Sequence, residues 1–248
     1  MIAPGYRPYE PQLVPVQAAE NVWTVEGPEI GYAIGGMSLP CPTRMTIVRL
    51  GGSALWLHSP VCYSPDLAAQ VAKLGEVAFV VAPNTYHHVH TADWCVAFPM
   101  AQLHASYDLV ARSRPPFDRA SVLRQGTPAE WAGDIRTLIV DLGTFVEAVF
   151  FHQPSRTLVM TDLMQNFEAN RVRHWLSRVL LRVGGATGPD GAPSMEIRIK
   201  AIGRRARVRA VRDAILDWAP ERIILAHGGC YKENAMEEVR RAFRWVGR

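Results

Sequence analysis

Twice along the chain the hydrophobic pattern changes from the alternation of strands to the three-to-four-residue period of helices, and this double change restricts the folds open to it. The first block holds four strand-type segments, residues 21–27, 29–36, 43–50 and 53–60, rich in β-branched and aromatic residues and separated by Gly or Pro. Gly51-Gly52 reads as a tight hairpin between the last two, so the block is expected to form an antiparallel meander. The period then shifts. In SPDLAAQVAKLG, residues 64–75, Ser64 suits an N-cap, Pro65 the first helical position and Gly75 the stop. The apolar EVAFVVAP follows as a buried strand.

The second block repeats the plan. Strands are expected over 134–143, 145–153 and 156–162, then a helix over 168–183, a loop over 184–193 rich in Gly and Pro, a helix over 204–218, a strand over 222–227 and a last helix over 232–246. The blocks share a pattern, not a sequence repeat. Two β-rich halves, each followed by helices, imply two sheets packed face to face with helices outside, in the α+β or α/β class.

A chain of 248 residues, 48% of them hydrophobic, can bury a large core as one domain, and residues 20–248 are read as that domain. Residues 1–19, with four prolines, are read as a proline-rich lead. No apolar run approaches the roughly 20 residues of a membrane span, and the lead lacks the apolar centre of a signal peptide. The expectation is a soluble cytoplasmic protein without a membrane partner. Cys41, Cys62, Cys95 and Cys230 are far apart, with no C-x-x-C pair, and are expected as free thiols. A formal net charge of +4 is small and does not by itself argue for nucleic acid.

Three segments end an apolar strand in ligand-type residues: FVVAPNTYHH, TLVMTD and RIILAHGG. In α/β architectures ligands gather beyond the carboxyl ends of strands, so His87, His88, Asp162 and His227 can meet there. Adjacent side chains on a strand point to opposite faces, so His87 and His88 can converge only after the strand has ended, which Pro83 and Asn84 favour. Neutral imidazoles with a carboxylate are a donor set for zinc, iron or manganese.

Together with ENVWTVEGP, PTRMTIVRL, WLHSP and FFHQPSRTLVMTDLMQN, these segments resemble the metallo-β-lactamase-fold superfamily over residues 20–229, and within it a branch described as a domain of unknown function. The resemblance implies a four-layer αββα sandwich and a metal-dependent hydrolase. It also exposes departures. With the superfamily's T-H-x-H-x-D-H motif set so that its last histidine falls on His88, its aspartate falls on His87 and its first two histidines on Pro83 and Thr85. A further expected histidine falls near Gly143, so one of two metal positions is lost.

What remains by resemblance is a mononuclear site of His87, His88, Asp162 and His227 holding one divalent metal. Zinc is favoured, iron or manganese also fit, and a metal-free binding protein of the same fold is the alternative. Exchanging an anionic ligand for a neutral one leaves the site more positive and acidifies a bound water further; a metal hydroxide could then attack an ester, amide, thioester or phosphodiester. The small-molecule substrate has no readable code, and the sequence does not constrain the oligomeric state.

His58, Asn84, His90, Asp93 and Asn166 are candidates for touching the ligands or the substrate, and Ser59-Pro60 falls near the site mouth by resemblance. His90 and Asp93 would continue the cluster as H-x-H-x-x-D, but Thr91 to Trp94 also reads as a helix start, and Asn166 as a helix cap. His152 is expected at the opposite end of the sheet, Glu147 on a solvated strand face, and Cys230 as a buried thiol. Residues 171–212 carry ten arginines and Lys200, which raises a nuclease or nucleic-acid-binding alternative. The inward spacing of Val208, Val211, Ile215 and Trp218 leaves most of that charge on a solvated helix face, so nucleic acid is disfavoured as a partner.

Overall fold

The computed structural model describes residues 5–34, 37–112 and 114–247. A seven-stranded sheet is built in chain order from β1 (Pro15–Ala19), β2 (Val22–Ile34), β3 (Met37–Arg49), β4 (Ala54–His58), β5 (Glu76–Ala82), β6 (Gln102–Ser106) and β7 (Ser121–Leu123). It is antiparallel from β1 to β4 and parallel from β4 to β7. Helices α1 (Pro65–Ala72), α2 (Thr91–Ala97) and α3 (Tyr107–Val110) connect the parallel strands. Ser64 caps α1, its hydroxyl accepting from the Leu67 amide, with proline entering the first turn as the sequence predicts.

The segments read as two strands over 21–36 form one long strand with a bulge. Register shifts between Gly27 and Ile30, where Pro28 supplies no ladder amide and faces a partner strand that itself carries Pro42. The short β6 and the three-residue β7 carry too little alternation to be read from sequence.

The second sheet has the order β11-β10-β9-β8, from β8 (Ile135–Asp141), β9 (Val146–His152), β10 (Thr157–Met160) and β11 (Arg222–Leu225). Its helices are α4 (Trp175–Val183), α5 (Met195–Lys200), α6 (Arg205–Asp217) and α7 (Ala235–Ala242). The helix expected from residue 168 begins only at Trp175, because the segment before it pairs with the lead: Tyr6 bridges Val172, and the Arg173 amide donates to the Gly5 carbonyl at 2.8 Å. Tyr6 is buried edge-on against Phe167, and β1 is the sheet's edge strand, so residues 5–19 pack against the rest of the fold.

Trp56 and Phe79 from the first sheet meet Phe150 and Ile224 from the second in the central core. Leu67, Val71 and Trp94 cover the first sheet's outer face, and Val208, Val211, Ile215 and Val239 that of the second. These layers make the αββα sandwich. One polar strut crosses it: buried Arg44 on β3 pairs with Glu26 at 2.6 Å and donates to the carbonyls of Leu225, which ends β11, and Gly228 beyond it.

Part of the basic segment is spent on backbone ties, with Arg178, Arg198, Arg209 and Arg212 donating to the carbonyls of Val172, Pro193, Val246 and Gly247. All four cysteines are free thiols. Among the described residues no helix is long and apolar enough to cross a membrane.

Candidate metal centre

The carboxyl ends of β5, β10 and β11 converge, and one of three donors follows each, two residues past β10 and β11 and five past β5. After Ala82 ends β5, buried Asn84 takes over the backbone. Its Oδ1 accepts from the amides of Tyr86 (2.8 Å) and His87 (2.9 Å), forming a side-chain-closed turn that stops the strand. Its Nδ2 donates to Thr161 Oγ1 at 2.9 Å and Asp162 Oδ2 at 2.8 Å, tying the histidine loop of one sheet to the aspartate loop of the other.

Asp162 lies two residues beyond β10. Glu147, fully buried on β9, holds its loop: Oε1 accepts from the Thr161 amide (2.8 Å), and Oε2 from the amides of Asp162 (2.9 Å) and Leu163 (2.8 Å). The expected solvated strand face is therefore corrected. Burial and the charge on Asp162 push the Glu147 carboxyl up to about 8, against the pull of those amides. Gln165 Nε2 donates to Asp162 Oδ1 at 2.9 Å.

His227, two residues beyond β11, sets its Nδ1 2.7 Å from the Pro42 carbonyl. A carbonyl only accepts, so Nδ1 carries the proton and the Nε2 lone pair faces the site. Phe167 stacks on the same ring at 5.7 Å and 13°. Opposite, His87 Nδ1 lies 2.7 Å from the Ser59 hydroxyl, leaving its Nε2 directed inward.

The donor atoms of His87, Asp162 and His227 all lie within 4.8 Å of one another. The two Nε2 atoms are 3.1 Å apart; His87 Nε2 is 3.3 Å from Asp162 Oδ2, and His227 Nε2 is 3.5 Å from Asp162 Oδ1. Burial works to raise the Asp162 carboxyl, but the flanking imidazoles outweigh it and hold the group well below the usual carboxylate range. Burial depresses the His87 imidazole despite that carboxylate, favouring the neutral ring that a metal ligand requires. Two inward nitrogens and one ionised carboxylate fit a divalent ion with a further position open, and a cavity of about 680 Å³ opens on that side.

His88, expected as a fourth donor, does not join the group. The Asn84 turn sends the adjacent rings different ways, and His88 lies edge-on to Phe117 at 5.5 Å with its Nδ1 buried and unpartnered. Burial and then nearby Arg112 lower its pKa. His58 stacks on Trp56 at 5.4 Å and 11°, and burial, reinforced by His87, pushes it down to about 3. His90 lines the cavity and precedes α2; Asp93 is exposed in the first turn of that helix, outside the group.

Asn166 caps no helix. Its amide donates to the His227 carbonyl (3.1 Å), its carbonyl accepts from the Gly229 amide (3.0 Å), and its Nδ2 donates to the Gly229 carbonyl (2.9 Å). Gly228 inside this clasp has φ +87°, and a Cβ there would sit 1.8 Å from the Asn166 carbonyl oxygen. His152 is at the far end of β9, bonded to Ser155, and Cys230 Sγ accepts from Arg44 at 3.1 Å. Gln165 and the Pro42 carbonyl carried no signal in the sequence.

A family model described as "Domain of unknown function (DUF4336)" matches residues 19–176. No curated protein matches the chain. Solved structures with the metallo-β-lactamase fold do. TMB-1, described for substrate and inhibitor binding, aligns with a TM-score of 0.62 at 12% identity, over 96% of this chain and 100% of its own. The metallo-β-lactamase FIM-1 from Pseudomonas aeruginosa, in its mono-zinc form, gives 0.58 at 13% identity over 98% and 100%. The metal-soaked Flv1 flavodiiron core from Synechocystis sp. PCC6803 gives 0.61 at 9% identity, over 98% of this chain and 61% of its own. Identities this low establish the fold alone.

Proposed function

This chain belongs to the DUF4336 family, and from that premise, with the metallo-β-lactamase fold and its cavity-facing donors in hand, we propose that it is a metal-dependent hydrolase with a single divalent ion held by His87, Asp162 and His227. The carrying observation is the convergence of two imidazole Nε2 atoms and one carboxylate within 4.8 Å, with the His227 tautomer set by Pro42. FIM-1, solved in a mono-zinc form, is a precedent for one ion on this fold. Zinc suits three protein ligands with an open position; iron and manganese accept the same donors.

When bound, such an ion supplies Lewis acidity and acidifies water. The chain's own residues hold and orient. Pro42 and Ser59 fix the two imidazoles, Asn84 and Gln165 fix the two carboxylate oxygens, and Glu147 fixes the backbone carrying that carboxylate.

The metal-free binding alternative has an observation in its favour, since His87 Nε2 lies 3.1 Å from His227 Nε2 and 3.3 Å from Asp162 Oδ2 and, when it carries the ring proton, can donate to either without an ion. One experiment separates the readings. Purified protein is equilibrated with zinc, iron or manganese and its metal content measured, alongside His87→Ala, Asp162→Ala and His227→Ala. One ion per chain, lost in each variant, is expected; a folded protein that takes up no metal sinks the hydrolase reading. Retention in His88→Ala would agree with a three-residue set, and loss there would restore His88 as a ligand.

A further inference from the structure

The cavity above the three donors has a composition that speaks about its occupant. At about 680 Å³ it falls within the roughly 300–1,000 Å³ of small-molecule sites. Ile30 and Leu39 wall it from the β2–β3 ribbon, Leu180 and Val183 from α4, Met195 and Ile199 from α5. Three of these are also largely exposed: Val183 at 67%, Met195 at 43% and Ile199 at 57%. The rim is therefore apolar as well as the wall, and exposed apolar surface continuous with a pocket marks a binding surface.

Charge in the cavity is confined to the donor end and to one internally paired group. Glu196, on α5, accepts from Lys200 Nζ (2.6 Å) and the Tyr86 hydroxyl (2.9 Å) through Oε1, and from the Tyr32 hydroxyl (2.8 Å) through Oε2. Its charge is spent on strapping α5 to the β2–β3 ribbon and to the Asn84 turn. Among the described residues no lysine or arginine lines the cavity, so an anionic group far from the donors would find no cation. Burying such an anion without a partner is costly, whereas an apolar group gains by leaving water.

We infer that the substrate is uncharged over most of its length and carries a large apolar group, seated between the β2–β3 ribbon and helices α4 and α5, with its cleavable bond toward His87, Asp162 and His227. The position of that bond rests on the hydrolase reading; the apolar class of the ligand does not.

The test begins with binding. Straight-chain alkanols from butanol to decanol are titrated into the metal-free, full-length protein by calorimetry. Affinity should rise roughly fourfold per added methylene until the cavity is filled. Ile199→Glu and Val183→Glu change exposed positions, so the fold, checked by circular dichroism, should persist while the length dependence collapses. Ile202→Glu, on an equally exposed residue (65%) outside the cavity lining, should leave it intact. Affinity independent of chain length overturns the inference. So does an Ile202→Glu loss equal to that of Ile199→Glu, which would assign the apolar face to docking of another surface. If alkanols bind with the expected dependence but metal-loaded protein cleaves no alkyl ester in a matching series, the ligand class stands and the hydrolase reading falls.

Discussion

Replacing Glu147 with Gln tests whether this buried side chain positions the Asp162 loop. Three backbone amides converge on its two oxygens, one on Oε1 and two on Oε2, at 2.8–2.9 Å. An oxygen at either position can accept whether or not the carboxyl is protonated, but an –NH2 group cannot. The amide's best orientation puts its oxygen where Oε2 was, leaving the Thr161 amide facing a donor. One orphaned buried N–H costs about 1–3 kcal/mol. Glu147→Ala would orphan all three, a loss comparable to the roughly 5–15 kcal/mol that holds a domain together, so Gln is the usable probe. Urea unfolding of the metal-free protein should show that loss. Because the same amides fix the backbone of Asp162, metal affinity should fall by roughly 10- to 100-fold, as when groups supporting metal ligands are removed. A Glu147→Gln protein within about 0.5 kcal/mol of wild type, with unchanged metal affinity, would show that Glu147 does not hold the loop.

Tyr6→Ala should cost about 3–5 kcal/mol in the same assay, since the ring is 1% exposed against Phe167; a negligible effect would return the lead to the status of a tail. Arg44→Met strands Glu26 and two carbonyls near His227, and a loss of about 3–5 kcal/mol is expected, with no loss arguing against the inter-sheet strut. His104 and His152 are buried away from the donors, and burial lowers both pKa values. The unfolded chain therefore binds their protons first, so their stabilising contribution is full above about pH 6.5 and is lost as pH falls through the depressed folded values. Urea midpoints should drop on acidification through that range, and less steeply in His104→Phe; an identical slope would remove His104 from the account.

The fold was legible because its long elements carry clean periods: SPDLAAQVAKLG gave α1 with its cap, and EVAFVVAP gave β5 with its end. The failures have local causes. Bulging at Pro28 joined two expected strands, and residues 168–174, expected as the start of a helix, form a turn tied by a single bridge from Val172 to Tyr6, 166 positions away. In the site, strands ending in His or Asp led to three residues that do meet. His88 came with His87 from the same strand end and was kept by the motif alignment, and nothing in the string NTYHH says which of two neighbouring rings the Asn84 turn will aim inward. Glu147 read as a strand residue because its partners are backbone amides 14 to 16 residues later, which no side-chain pattern records.

The donors come from two separately hydrogen-bonded sheets, and each is braced against the other. His227 leans on Pro42, Asp162 on Asn84, and Arg44 reaches the carbonyls behind His227. The complete three-residue site therefore forms only when the halves dock, because the second sheet alone brings Asp162 and His227 together and His87 comes from the first. On the hydrolase reading, metal uptake during refolding becomes a clock for the last assembly step: it should lag the burial of Trp56 and Phe150, and a slip of either sheet would register first as a lost ion.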